Sequence, residues 1–293
     1  MVKVKNHIKR PKAKRLNRSR GGNFAIFVFL TIFGVFMALP AVYAISSSLK
    51  PLDELWMFPP KFFVRNPTLK NFTDLFNLMS NSWVPFSRYI WNTVFIAVVG
   101  TGGHLVISSL CAYALAKHRF PGQKFMFYTI VLSLMFSTTV TVIPSFIIMS
   151  ELKLVNTQAA IILPAFCSSL GLYLMKQFME QMVPDALLEA SRLDGANEWK
   201  IFWKIVMPIV KPAWLTLIIF SFQGLWNTGT NILIQDEQLK TLNYALTQIV
   251  SGGVARAGAA SAASVIMMSV PIIIFVLSQS SIVETISTSG MKD

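Results

Sequence analysis

Six long stretches of this chain contain no Asp, Glu, Lys or Arg, and they restrict the possible folds more than any other feature. They cover approximately residues 24–47, 89–116, 125–149, 158–175, 213–226 and 261–282. A helix needs about 20 apolar residues to cross the ~30 Å hydrocarbon core of a bilayer, where only helices and closed barrels satisfy their backbone hydrogen bonds. Uninterrupted apolar runs favour helices. The sequence therefore predicts an all-α membrane protein with six transmembrane helices.

The basic residues predict the orientation of these helices. Nine of the 26 Lys and Arg residues lie within the first twenty positions, where no acidic residue occurs. With the N-terminus inside, the inside segments hold 18 basic residues and the outside segments 8. Because cytoplasmic loops carry the excess of Lys and Arg, we expect both termini to be cytoplasmic. The basic arm fits a cytoplasmic tail, with contact to anionic lipid as the alternative; nucleic acid is not expected as a partner.

These boundaries predict four segments along the chain. They are a basic cytoplasmic arm at 1–23, the first transmembrane helix with an outside loop at 24–88, a core domain of five transmembrane helices at 89–283, and a cytoplasmic tail at 284–293. Val42-Tyr43-Ala44 imitates a signal-peptide cleavage site. The apolar run before it is long for a signal peptide and five more stretches follow, so we expect an uncleaved anchor.

The chain shows no residue pattern for catalysis or cofactor binding. It has no G-x-x-x-x-G-K-[ST] phosphate loop and no cluster of His, Cys, Asp and Glu with metal-ligand spacing. We therefore expect no catalytic residue, metal or cofactor on this chain, and no enzymatic activity of its own. His104 lies among glycines, which favours helix packing over a proton relay. Cys111 and Cys167 are expected to be free thiols packed as small apolar residues.

Polar side chains within the stretches have two interpretations. They form hydrogen bonds between helices, or they line a wet path for a neutral, hydroxyl-rich solute. The candidate path residues are Asn92, Ser109, Tyr113, Thr138, Gln223 and Asn227.

Residues 184–208, between the fourth and fifth stretches, predict a helix–Gly–helix elbow. Pro184 and Asp185 suit the start of a helix, and Gly195 breaks it because glycine readily takes positive φ. We expect the second helix to end at Pro208 and to carry one apolar face, formed by Trp199, Phe202, Trp203 and Val206. The pattern alone fits an interfacial anchor or a docking element for a cytoplasmic partner.

The elbow resembles the EAA motif of permease subunits in bacterial ABC importers. The matching positions are Glu189-Ala190-Ser191, Asp194-Gly195-Ala196 and Ile205-x-x-Pro208. Ser191 replaces the third-position Ala of the motif, and Met207 replaces the Leu before the proline. From residue 24 onward the chain is similar to the second permease of carbohydrate importers, the maltose-permease G type. This similarity includes Asn92-Thr93, Asn156-Thr157, Trp226-Asn227 and the ending Ser289-Gly290-Met291-Lys292.

The resemblance implies a type I ABC importer permease fold in a bacterial cytoplasmic membrane. It implies three kinds of partner: a second permease that forms a heterodimer with this chain, two ATPase subunits that bind ATP and Mg, and an extracytoplasmic solute-binding protein. The outside segment 228–258 corresponds to the loop of the family that extends toward the solute-binding protein. The residues implied in ATPase coupling are Glu189, Ala190, Ser191, Asp194, Gly195, Ala196, Ile205 and Pro208. The resemblance implies that the solute is a sugar, and we expect an oligosaccharide. The alternatives are an ABC importer of a non-sugar solute, a secondary carrier and a non-transporting scaffold.

Overall fold

The computed structural model describes residues 20–80, 83–229, 232–253 and 256–289, and within these ranges it is helical without a strand. The basic arm up to residue 19 and residues 290–293 of the tail lie outside the described residues. In chain order the helices are α1 (Arg20–Ser48), α2 (Leu52–Leu55), α3 (Lys70–Ser80), α4 (Phe86–Lys117), α5 (Gln123–Ser133), α6 (Thr138–Glu151), α7 (Ala159–Phe166), α8 (Ser169–Met182), α9 (Asp185–Leu193), α10 (Glu198–Ile201), a π-helix (Phe202–Val206), α11 (Met207–Ile209), α12 (Lys211–Trp226), a 3-10 turn (Glu237–Leu239), α13 (Leu242–Val250) and α14 (Ala257–Ser289). The all-α prediction is confirmed.

The helices long and apolar enough to span a membrane number four or five in the described part of the chain, against six in the sequence prediction. Four are Gly21–Ser48, Phe86–Lys117, Ala159–Met182 and Ala257–Gln279, and the fifth is α10–α12 if its two halves, bent by 81°, count as one span. The stretch 125–149 is divided between α5 and α6. The break occurs where Ser137 caps α6 by accepting a hydrogen bond from the backbone N–H of Thr139 at 3.3 Å.

α4 is the central helix, because α7, α8, α12 and α13 all pack against it. Glycines allow the closest of these approaches. A Cβ at Gly103 would lie 2.1 Å from the Phe166 ring of α7. A Cβ at Gly171 of α8 would lie 2.2 Å from His104 Nε2. His104 is 1% exposed, so the structure places it at a helix crossing.

Apolar cores lie at the two ends of α4. One core joins the second half of α4 to α8, the elbow helices and the start of α12, and we call this end of the bundle the elbow end. The other joins the start of α4 to α3, α13, α14 and the end of α12, and we call it the loop end. At the loop end, Asn92 donates to the carbonyls of Gln238 and Lys240 at 2.7 and 3.0 Å. These bonds hold the 3-10 turn against α4.

Several apolar surfaces face outward in the isolated chain. α1 contacts α14, yet the most apolar part of α1 has no buried residue.

Cys111 and Cys167 are free thiols, as expected, but both are exposed rather than packed inside the bundle.

Candidate functional site

The elbow has the helix–Gly–helix form that the sequence predicts. α9 begins immediately after Pro184 and ends at Leu193. Gly195 has φ +77°, and the N–H of Ala196 turns back to the carbonyl of Ser191 at 3.1 Å. Asn197 then caps α10 by accepting a hydrogen bond from the N–H of Lys200 at 2.8 Å. A tight turn at Gly195 therefore joins the two helices.

The second half of the elbow differs from the prediction. Phe202 and Val206 are 1% and 0% exposed, whereas Trp199 and Trp203 are 62% and 39% exposed. The rings of Trp199, Phe202 and Trp203 contact one another, with centroids 5.0 to 6.4 Å apart, so these three side chains share one face. What the sequence does not predict is that this face is only partly buried and that Phe202–Val206 forms a π-helix. The helix continues one residue beyond Pro208, to Ile209, and α12 then leaves at 81°.

A carboxylate on the elbow is bonded to the end of α4. Tyr113 donates its hydroxyl to Glu198 Oε2 at 2.7 Å. Arg192 Nε donates to Glu198 Oε1 at 2.7 Å, and His118 Nε2 lies 3.4 Å from Oε2. The hydrogen bond from Arg192 and, to a lesser degree, that from Tyr113 hold the pKa of Glu198 below its usual value, although burial opposes them. The carboxylate is thus ionised at neutral pH, and these contacts weaken only as the pH falls through that lowered pKa.

The last turn of α4 makes a second polar attachment to the elbow. The Lys117 side chain is only 5% exposed, and its ammonium group donates to the carbonyl of Val183 and to Asp185 Oδ1, both at 2.7 Å. The hydrogen bond from Lys117 lowers the pKa of the exposed Asp185 carboxyl. Together, Tyr113, Lys117, Asp185, Arg192 and Glu198 form what we call the elbow latch.

The structure separates the motif residues into an outward and an inward set. Leu193 beside the turn is 89% exposed. The exposed motif residues are Glu189, Ala190, Asp194, Gly195 and Pro208. Ser191 is buried and bonds the Leu187 carbonyl at 2.7 Å, while Ile205 and Ala196 pack partly into the core. The elbow therefore presents an acidic, glycine-containing tip to its surroundings and uses its remaining residues for packing.

The candidate path residues do not form one cluster. Asn92 lies at the loop end, where it also accepts a hydrogen bond from Gln158 at 2.8 Å, and Tyr113 belongs to the latch. Ser109 is fully buried between them, and its hydroxyl has no hydrogen-bond partner among the described residues. Gln223 and Asn227 are exposed on or beside the end of α12. Thr138 begins α6, but its side chain lies outside the described part of the structure. The translocation path stays a prediction.

Sequence reasoning missed the latch. Tyr113 was considered only as a path residue, and Lys117 and Arg192 only as positive charges. One sequence feature could have indicated it: a Tyr and a Lys occur in the last two turns of a long apolar helix. The elbow is expected at the same side of the membrane as that helix end.

Residues 104–287 match the profile of a family described as binding-protein-dependent transport system inner membrane component. This match covers more than half of the chain. The chain belongs to this family. The match includes the whole elbow and α4 from His104 onward, so all five latch residues lie within the matched region. Within the described residues, no group of three or more His, Cys, Asp and Glu could hold a metal ion.

Relatives of this family member are themselves transport permeases. The chain is 27% identical to the arabinooligosaccharides transport system permease protein AraQ of Halalkalibacterium halodurans, over 92% of this chain and 94% of the relative. It is 30% identical to the polygalacturonan/rhamnogalacturonan transport system permease protein YtcP of Bacillus subtilis, over 80% and 79%. It is also 30% identical to the sn-glycerol-3-phosphate transport system permease protein UgpE of Yersinia enterocolitica, over 72% and 75%.

A solved structure supports the same fold. One chain of a bacterial ABC transporter involved in the import of the acidic polysaccharide alginate superposes with a TM-score of 0.75 and 24% identity. The alignment covers 90% of this chain and 98% of that chain. This likeness shows the type I ABC permease-like fold.

Proposed function

We propose that the chain is a transmembrane permease subunit of an ATP-driven, binding-protein-dependent importer in a bacterial cytoplasmic membrane. It forms the translocation path together with a second permease, and its two termini and its elbow are cytoplasmic. Family membership and the apolar helices support this assignment. The sequence contains no phosphate loop, so ATP and Mg bind on two partner ATPase subunits.

The observation that carries the proposal is an exposed elbow tip on a segment that is hydrogen-bonded to the central helix. Glu189, Asp194 and Gly195 are exposed and available to an ATPase cleft. The elbow latch attaches the same segment to α4, against which α7, α8 and α12 pack. A displacement of the elbow by ATP-driven closure of the ATPases is therefore passed to α4 and to the helices around it.

We propose that the solute is a sugar, and an oligosaccharide rather than a monosaccharide. The name of AraQ states arabinooligosaccharides and that of YtcP states polygalacturonan/rhamnogalacturonan, of which the first is neutral and the second contains acidic sugar units. The absence of charged side chains from the predicted spans agrees with a neutral, hydroxylated solute. The name of UgpE states sn-glycerol 3-phosphate and favours the alternative of a small non-sugar solute. Uptake measurements with an oligosaccharide and with sn-glycerol 3-phosphate distinguish the sugar importer from this alternative.

Affinity purification of the chain from its native membrane tests the assembly. We expect a second permease and a pair of ATPase subunits to co-purify in detergent, and the solute-binding protein to associate when sugar is present. An isolated monomer that accumulates solute with a proton gradient, in the absence of ATP, would contradict the proposal and support a secondary carrier.

The elbow latch predicts partial uncoupling. Glu198→Gln removes the charge that holds Arg192 and weakens the bond from Tyr113. We expect solute uptake per ATP hydrolysed to fall about threefold, since an ion pair between side chains that are 40% and 46% exposed is worth under ~1 kcal/mol. Uptake and ATP hydrolysis in proteoliposomes measure this ratio.

Glu180→Gln is the matched control for the latch. Glu180 pairs with Lys176 at 2.7 Å, but both residues belong to α8, so this ion pair does not join the elbow to α4. The control should keep the ratio of the unmodified protein. An unchanged ratio in Glu198→Gln would show that the latch does not transmit motion.

A further inference from the structure

A cavity of about 250 Å³ opens beside His104, away from the elbow latch. It lies between α4, the break that separates α7 from α8, and α12. Its lining includes His104, Ser168, Gly171, Leu217, Phe220 and Ser221. The floor is buried, and the rim is exposed at Ser168 and Phe220. Its volume is more than ten times the ~15 Å³ that admits one water molecule.

The hydrogen bonds of His104 leave one ring nitrogen unused. Nδ1 lies 3.4 Å from the carbonyl of Phe166 and 3.1 Å from the hydroxyl of Ser108. Phe166 ends α7, so its carbonyl lacks the partner that a continuing helix supplies. Because a carbonyl can only accept, we assign the ring proton of His104 to Nδ1, facing this carbonyl. A neutral imidazole with its proton on Nδ1 has a bare acceptor at Nε2. No described protein group forms a hydrogen bond with Nε2.

A bare acceptor in a cavity at membrane depth restricts what fills the cavity. A buried acceptor without a donor costs free energy; water in the cavity or a hydroxyl of a solute supplies the donor, whereas an acyl chain has no polar hydrogen to offer. The lining contains hydroxyls of Ser168 and Ser221 and apolar faces of leucines and Phe220, but no charged side chain. A neutral sugar ring has the matching surface, with hydroxyl donors on its edge and C–H groups on its faces.

We propose that this cavity binds one neutral sugar ring of the solute during its passage, with a ring hydroxyl donating to His104 Nε2. This proposal rests on the sugar-import function proposed above and adds a specific contact within this subunit. Gly171 is required for this arrangement, because the absence of a Cβ lets the imidazole lie against α8 at the cavity floor.

Two substitutions of His104 separate a ligand contact from a structural role. Gln places its amide where Nε2 lies, whereas Asn places its amide where Nδ1 lies. The complete importer is reconstituted in proteoliposomes with each variant, and uptake of labelled arabinotriose and diacetylchitobiose is measured. We expect His104→Asn to lower the turnover of uptake about tenfold, because the variant loses the hydrogen bond that the sugar hydroxyl forms at the Nε2 position during transport. His104→Gln should stay within about twofold of the unmodified importer.

The opposite ranking would assign His104 a structural role through Nδ1 and overturn the proposal. Equal uptake in all three proteins would overturn it as well, and so would an acyl chain or a side chain of the second permease seen in the cavity of the assembled importer. If the unmodified importer takes up neither sugar but transports sn-glycerol 3-phosphate, the sugar-import function itself fails. That result differs from failure of the cavity assignment alone, in which sugar uptake is intact and insensitive to His104→Asn.

Discussion

Gly195→Asp is expected to abolish most of the solute-stimulated ATP hydrolysis of the assembled importer while leaving the helix bundle folded. Gly195 has φ +77°, and an added Cβ would meet no atom within 4 Å, so the new side chain would project from the elbow tip. The backbone cost is about 1 kcal/mol, which is too small to unfold the bundle. The larger effect is a charged side chain on the proposed ATPase contact. We expect stimulated hydrolysis in proteoliposomes to fall more than about tenfold.

Gly122→Asp is the matched control for this experiment. Gly122 also has positive φ, +88°, and open space around its Cβ position, but it lies in the turn before α5 rather than on the elbow. It carries the same backbone cost without the proposed contact, so its ATP hydrolysis should resemble that of the unmodified importer.

Glu189→Lys tests the same surface by reversing an exposed charge on α9 without changing the backbone. We expect weakened ATPase binding and a similar loss of stimulation, because like charges across a contact repel. Normal solute-stimulated hydrolysis in both Gly195→Asp and Glu189→Lys would argue against the elbow as the coupling element.

Gly171→Leu is expected to prevent assembly of a stable bundle. A Cβ at this position would lie 2.2 Å from His104 Nε2 and 2.6 Å from Leu217 Cδ1, so a Leu side chain would force α4 and α12 away from α8. Overpacking of this kind costs about 3 kcal/mol or more. The yield of monodisperse protein in detergent and its thermal unfolding midpoint measure the loss.

Gly102→Leu provides the comparison for Gly171→Leu. Gly102 lies in α4, and nothing is within 4 Å of its Cβ position. Replacement of a helical glycine where there is space improves helix propensity by about 1 kcal/mol. Stable protein from both variants would show that α8 does not pack as closely on His104 as the structure has it.

The elbow shows how far sequence reasoning reaches. Pro184, Gly195 and the EAA-like residues act locally, since they start a helix, break it and turn the chain, and the structure confirms each of these effects. The π-helix was not predicted, because the composition of Phe202–Val206 is that of an ordinary helix; in the structure both Phe202 and Val206 are buried in the core. The helical pattern places Trp199 and Trp203 with Phe202, and their rings do contact it, but the pattern does not show that both tryptophans stay partly exposed.

The latch and the cavity show what local reasoning does not reach. Tyr113 and Glu198 are 85 positions apart, and nothing in their local sequence indicates that they bond. The division of 125–149 into α5 and α6 was likewise not predicted. Hydropathy is judged over a long window in which one serine has little weight, whereas in the structure Ser137 caps the start of a new helix.

The sequence by itself determined the class of the protein, its helical character, the position of the elbow and the resemblance to ABC importer permeases. These properties depend on the hydrophobicity of long runs, on charge and on residues that act on their own backbone. Only the tertiary structure decided which groups meet: the acids and bases of the latch, the glycines beneath Phe166 and His104, and the bare nitrogen in the cavity. Such contacts depend on how helices cross, and crossings are set by side-chain packing between segments far apart in the chain.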